Sequence, residues 1–167
     1  FGRRARRLMP AALATIAVVV VVSKVLFNDI RFHEVQTDAF WSTFWLENFH
    51  LIAQSTDYFA PGLDKSPLQH FWSLAVEEQF YFFWPVTLLL FAKAKFLQRL
   101  PFCSTWQSRI LTATVIFGVP SLIWSYTYTN SNPAGAYFST FTRAWDLLLG
   151  AAIAVIPLFR NGLNPRL

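Results

Sequence analysis

Four stretches of this chain are long and apolar enough to cross a lipid bilayer as single helices, and nothing else constrains its fold as strongly. A bilayer core takes about 20 mostly apolar residues per helix. Residues 8–27, with the run Val18-Val19-Val20-Val21-Val22, meet that length, as do 72–92, 110–128 and 138–156. Inside lipid, every backbone N–H and C=O must be bonded within the protein, which leaves helices as the form for such runs. The expected fold is therefore all-α: part of a polytopic membrane helix bundle with four transmembrane helices. Composition agrees, since only 14% of the 167 residues are charged where a soluble domain carries about 25%. Pro85 and Pro120 fall inside spans and predict local kinks.

Charge gives the expected orientation. Arg3, Arg4, Arg6 and Arg7 precede the first span; Lys93, Lys95, Arg99 and Arg109 lie between the second and third; Arg160 and Arg166 follow the fourth. Lys and Arg mark cytoplasmic segments. The opposite segment, 28–70, holds Asp29, Glu34, Asp38, Glu47, Asp57 and Asp64 against Arg31 and Lys65, and is expected outside the cytoplasm. The net charge of +5 is thus topological, and nucleic acid is not an expected partner. The lipid bilayer is. Within the outer segment, residues 39–53 read as one interfacial or re-entrant amphipathic helix, with Thr43, Glu47, His50 and Gln54 on one stripe. Residues 126–136, with Asn130, Asn132, Pro133 and Gly135, read as a short outer loop. A single Cys, Cys103, allows no internal disulfide and no Cys-rich metal site, so no metal is expected. The chain opens on a basic cluster with no Met and reads as an internal piece of a longer protein.

The residues richest in chemistry stand where the outer segment enters the second span. His70, Ser73, Glu77 and Tyr81 recur at helical spacing, and Glu78 points about 100° away from Glu77. Carboxylates in an otherwise aromatic span need a partner, a cavity or a reaction. Glu77 is the first candidate, as a catalytic or acceptor-side acid. Its alternative is a polar anchor paired to another helix. His70 reads either as a general base oriented by a nearby carboxylate or as a loop histidine. His33 and His50 read as interfacial. Arg143 and Asp146 stand i,i+3 in the fourth span; they can pair with each other or reach the second span. The basic opening is either a positive-inside anchor or a phosphate clamp, since guanidinium forks bind phosphates in bidentate fashion.

Three blocks together resemble the acyltransferase 3 family of integral membrane O-acyltransferases. They are Phe1-Gly2-Arg3-Arg4-Ala5-Arg6-Arg7-Leu8-Met9-Pro10, then His70-Phe71-Trp72-Ser73-Leu74-Ala75-Val76-Glu77-Glu78-Gln79-Phe80-Tyr81 followed by Trp84-Pro85, then Thr142-Arg143-Ala144-Trp145-Asp146-Leu147-Leu148-Leu149-Gly150. Asn48 ahead of Tyr58-Phe59 fits the same family's outer segment.

That resemblance implies that residues 1–167 are part of one acyltransferase 3 membrane domain. It implies transfer of an acyl group, usually acetyl, from cytoplasmic acyl-CoA to a hydroxyl of an extracytoplasmic glycan or glycolipid, with no bound cofactor. It maps the family's Arg-x-x-Arg donor motif onto Arg4 and Arg7, with Arg3 and Arg6 at the same spacing, and the family's acid onto Glu77. Ser73, Glu78, Tyr81, Arg143 and Asp146 would be structural or acceptor-side polar groups. The family's catalytic histidine lies on a helix ahead of the basic loop and has no counterpart here; His70 does not fill its place. The resemblance also places the protein in the cell membrane. Two other classes compete. A transporter or flippase of a glycan or lipid intermediate would use buried Glu and Arg for gating, and a non-catalytic scaffold subunit would use them for packing alone.

Overall fold

The computed structural model describes residues 2–54, 56, 65–93 and 105–156, and every regular element among them is a helix. The elements are α1 (Gly2–Leu26), α2 (Asp29–Thr43), α3 (Glu47–Ala53), α4 (Phe71–Lys93), α5 (Trp106–Ser131), α6 (Pro133–Phe138) and α7 (Thr140–Val155). Lys95, Arg99, Cys103, Arg160, Arg166, Asp57, Asp64, the Tyr58-Phe59 pair and the Arg3 side chain lie outside the described residues.

Three helices are long and apolar enough to cross a membrane: Arg6–Leu26, Phe71–Phe91 and Trp106–Ser131. These are the first three expected spans, each within a few residues at its ends. The fourth differs. Residues 138–156 are not one helix: Ser139 is extended (φ −71°, ψ 127°) and divides α6 from the 16-residue α7. At 1.5 Å per residue α7 is about 24 Å long, short of a bilayer core of about 30 Å.

The chain forms two compact units. The first comprises residues Phe1–Tyr81 and Asn132–Thr140. Its core joins Ala12 and Ile16 of α1, Val35 and Ala39 of α2, and Leu68 and Phe71 at the entry to α4. Both helix pairs are i,i+4, so one stripe of α1 meets one stripe of α2. The connection is sharp because Asn28 caps α2, its side-chain oxygen accepting the Arg31 N–H at 2.9 Å.

The expected amphipathic helix at 39–53 is instead two helices. α2 ends at Thr43, and Trp45 takes φ 58° before α3 begins. A left-handed Trp is sterically costly, by roughly 1–2 kcal/mol, and persists only where its surroundings fix it. Here Gln79 of α4 donates its amide to the Trp45 carbonyl at 2.7 Å. The stripe of Thr43, Glu47, His50 and Gln54 is therefore divided, with Thr43 on α2 and Glu47 and His50 on α3; His50 and Gln54 stay together at 2.8 Å.

The second unit comprises Phe82–Ser131 and Phe141–Leu167. α5 starts on a reciprocal cap: the Ser108 N–H donates to the Thr105 hydroxyl oxygen at 3.1 Å, and the Thr105 N–H to the Ser108 hydroxyl oxygen at 3.2 Å. It then runs through residues expected to form a loop at 126–136. It ends only where Asn132 precedes Pro133, since a residue before proline is pushed out of the helical region. Ser121 ties α5 to α7, donating to the Phe141 carbonyl at 2.6 Å and accepting the Trp145 N–H at 3.0 Å.

Leu68→Ala should cost about 2–5 kcal/mol, because Leu68 is 0% exposed in the first unit's core. Val25→Ala should stay within about 0.5 kcal/mol, because Val25 is 81% exposed. Thermal unfolding in detergent checks both.

Candidate functional site

At the start of α1, one side chain binds two carboxylates of α4. Arg4 Nη2 donates to Glu77 Oε2 at 3.0 Å, and Arg4 Nε donates to Glu78 Oε1 at 3.2 Å. The guanidinium carbon lies 3.8 Å from the centroid of the Tyr81 ring. Glu77 and Tyr81 stand i,i+4 on α4, so ring and carboxylate approach Arg4 from one helix face. Glu78, turned aside from that face, still reaches the guanidinium and is the more buried acid, with its side chain 9% exposed against 46% for Glu77. Burial alone would lower the Arg4 pKa; the Glu78 hydrogen bond, Tyr81 and Glu77 outweigh it and hold Arg4 above the ordinary guanidinium value. With two acids and one base, the cluster carries net −1.

This departs from the expected separation of the two motifs by the first span. Charge alternation put Arg4 and Arg7 on one side of the first span and Glu77 on the other. Groups joined at 3.0 Å occupy one level. A count of Lys and Arg per loop does not register a partner on a different helix.

The remaining candidates disperse. Arg6 and Arg7 are exposed on α1. His70 lies in the turn before α4; its ring is tilted against Phe71 at 5.2 Å and its carbonyl accepts the Ser73 hydroxyl at 3.2 Å. The expected four-residue face is thus Ser73, Glu77 and Tyr81 on the helix, with His70 just ahead of it. Arg143 and Asp146 form their i,i+3 pair on α7 at 4.0 Å, both well exposed, which gives a weak interaction.

Two further polar groups surround the corner between α2 and α3. The first is an amide junction. Asn48, 0% exposed, donates to the Phe138 carbonyl at 3.3 Å and the Thr140 hydroxyl at 3.0 Å. Gln79 donates to Asn48 Oδ1 at 2.9 Å, and its own oxygen accepts the Thr140 hydroxyl at 2.6 Å. Asn48, Gln79 and Thr140 thereby close a ring of hydrogen bonds beside α4.

The second is a quartet of Asp38, Ser42, Glu47 and His50, with Trp41 against it. Asp38 Oδ1 lies 3.3 Å from His50 Nε2, the His50 ring stacks on Trp41 at 5.4 Å, and the Ser42 hydroxyl donates to Glu47 Oε2 at 3.3 Å. Glu47 is 0% exposed, and its Oε1 has no hydrogen-bond partner. Burial first, then the Asp38 charge, push the Glu47 carboxyl up to about 8, with Ser42 pulling the other way. Among the described residues, no group of three His, Cys, Asp or Glu side chains is arranged to hold a metal ion.

Periodicity alone passed over Asp38, Gln79 and Thr140. Gln79 lay inside the most informative segment; Asp38 meets His50 only because the chain turns at Trp45.

Comparison with known proteins supplies a chemical setting. The chain is 38% identical over 98% of its length to "Peptidoglycan O-acetyltransferase OatA" of Listeria monocytogenes. It is 34% identical over 92% of its length to "O-acetyltransferase OatA" of Staphylococcus aureus. It spans about a quarter of these relatives, 25% and 24% of their lengths. No family model matches the chain, and no solved structure does.

Arg4→Met should destabilise the protein by about 1–2 kcal/mol; the 3–5 kcal/mol typical of a broken buried pair is reduced because the Arg4 side chain is 37% exposed. Adding Glu78→Gln should restore part of that loss, since the stranded carboxylate is then gone. A double-mutant cycle of thermal melts measures the coupling, and strict additivity would show that the pair contributes nothing.

Proposed function

We propose that the chain is part of an acyltransferase 3 membrane domain, and that the complete protein transfers an acetyl group to a hydroxyl of a cell-envelope glycan, with peptidoglycan as the acceptor and cytoplasmic acetyl-CoA as the donor. The observation that carries the assignment of residues is the Arg4–Glu77–Glu78–Tyr81 cluster.

The chemistry sets three demands. A C–O bond must form as the thioester C–S bond breaks, the acceptor hydroxyl must lose its proton, and the donor's phosphates must be held. Glu77 is the half-exposed acid of the cluster, fixed at one oxygen by Arg4, and at the donor's level it orients the thioester end of the donor. Glu78, buried and neutralised by Arg4, positions that guanidinium. Arg4 is committed to two carboxylates in a net-negative cluster, a poor receptor for phosphate. Donor binding therefore passes to the exposed Arg7, one turn along α1, with Arg6 next to it in the chain.

The basic end of α1 faces the cytoplasm in this reading, and the acids of α4 sit at the donor's level rather than across the membrane from it. His70, in the turn before α4, lies toward the acceptor. The family resemblance assigns the general-base histidine to a helix upstream of Phe1.

The test is acetyl transfer from radiolabelled acetyl-CoA by the full-length protein in proteoliposomes, with soluble peptidoglycan fragments as acceptor. Glu77→Gln should lower kcat about 10²-fold, the scale on which misplacing a reacting group slows a reaction. Arg7→Ala should raise the donor KM about tenfold with kcat little changed. Full turnover in Glu77→Gln contradicts the assignment.

A further inference from the structure

The acyl-transfer reading leaves the quartet of α2 and α3 unused. It is an unusual thing for a protein to bury. Glu47 and Asp38 are 0% and 5% exposed, and they are close enough for the charge of one to act on the other. An isolated ionised carboxylate in such a place is strongly disfavoured, and the common escape is to keep a proton. The geometry fits that escape. Asp38 has a basic partner in His50 at 3.3 Å. Glu47 has only the Ser42 hydroxyl on Oε2, while Oε1 is buried with nothing to bond. His50 Nε2 lies between Asp38 Oδ1 at 3.3 Å and the Gln54 side-chain nitrogen at 2.8 Å, and its ring stacks on Trp41. With Glu47 neutral, no second charge faces Asp38; without that proton, two buried carboxylates face each other.

We propose that Asp38, Glu47 and His50 form a buried proton-binding site whose occupancy holds α3 against α2 and, through Asn48 and Gln79, keeps the acids of α4 in place. The route is short and continuous. Glu47 is the first residue of α3 and Asn48 the second. Asn48 is hydrogen-bonded to Gln79, which follows Glu78 directly. Gln79 also holds the Trp45 carbonyl at the strained corner, so a shift of α3 strains both of its amide bonds. Loss of the Glu47 proton sets two carboxylates against each other across the α2–α3 contact and pushes at this corner.

The charged and titratable neighbours are few. From α2, Asp38 and Ser42 meet Glu47. α6 packs on α3 and has Tyr137 as its one titratable side chain. α1 packs on α2 and carries charge in Arg3, Arg4, Arg6, Arg7 and Lys24. Glu77 and Glu78 of α4 are bound by Arg4.

The sign of the pH effect follows from proton binding. Glu47 holds its proton more tightly in the folded protein (about 8) than its ordinary value of 4.5. Its contribution to stability is complete below 4.5 and is lost as pH rises through about 8.

The acyl-transfer reading enters only the second of two readouts. The full-length protein is melted in detergent from pH 5.5 to 9, and acetyl transfer is measured from pH 6 to 9. The wild type should lose several degrees of melting temperature between pH 6 and 9, and its rate should fall about tenfold from pH 7 to 9, as one proton leaves a site titrating near 8. Glu47→Gln should flatten both profiles while retaining most of its activity at pH 7. Asp38→Asn should move the midpoint downward, because the neighbouring charge that helps to hold the Glu47 proton is then gone. Melting profiles that coincide for wild type, Glu47→Gln and Asp38→Asn overturn the proposal, even where acetyl transfer is robust. The expected melting profiles in a protein with no acetyl transfer leave the proton site standing and remove the proposed reaction.

Discussion

Two carboxylates follow one another in the second turn of a helix that is otherwise aromatic and aliphatic, and Arg4 is the group that makes this tolerable. Charge in an apolar span is expensive, by roughly 2.5–3.5 kcal/mol at the bilayer centre. Glu78 is nearly enclosed. A single guanidinium, with its donors in a rigid fork, serves two acids at once and still lays one face on Tyr81. The start of α1 is thereby pinned to α4 at a defined level, and the apolar stripes of α1 and α2 are set against the Leu68–Phe71 turn behind it. A lysine, a point charge on a flexible stem, could not hold both carboxylates with the same geometry.

α4 is the element on which the rest of the first unit converges. Its successive residues face different partners: Glu77 and Glu78 meet Arg4, while Gln79 meets the corner of α2 and α3, Asn48 and Thr140. A helix advances about 100° per residue, so three adjacent polar side chains can address more than one neighbour. This gives a physical reason for so dense a run of polar groups in a span. It also ties the strained Trp45 backbone to the proposed chemistry, since the residue that stabilises the strain is the neighbour of the acid that binds Arg4.

Much of this was legible in the sequence, and the failures are instructive. The three long helices were found because length and hydropathy are local properties, and a bilayer leaves few alternatives for such segments. Glu77, Glu78 and Arg4 were found because charge in or beside a span is conspicuous. Their meeting was not, because the positive-inside pattern scores loops and is blind to pairing between helices. The helix break at Trp45 had no Gly or Pro to announce it; Gln79, 34 residues away, holds it. His50 was visible as a residue, but its pairing with Asp38 depends on that same break. The loop expected at 126–136 failed for the opposite reason. Polar residues suggested a turn, while the backbone stayed helical as far as Ser131 and broke only at Asn132, before Pro133.

The central claim is that the basic end of α1 and the acids of α4 share one level. The most direct measurement is a distance between spin labels at two exposed positions, Arg7→Cys and Ser73→Cys, in the full-length protein with its native cysteines replaced, reconstituted in lipid. Arg7 is one turn from Arg4, and Ser73 is one turn from Glu77. The account predicts a distance distribution centred at or below about 20 Å. A distance near 30 Å, about the length of the 21-residue span Arg6–Leu26, would place the two motifs at opposite membrane faces and contradict it.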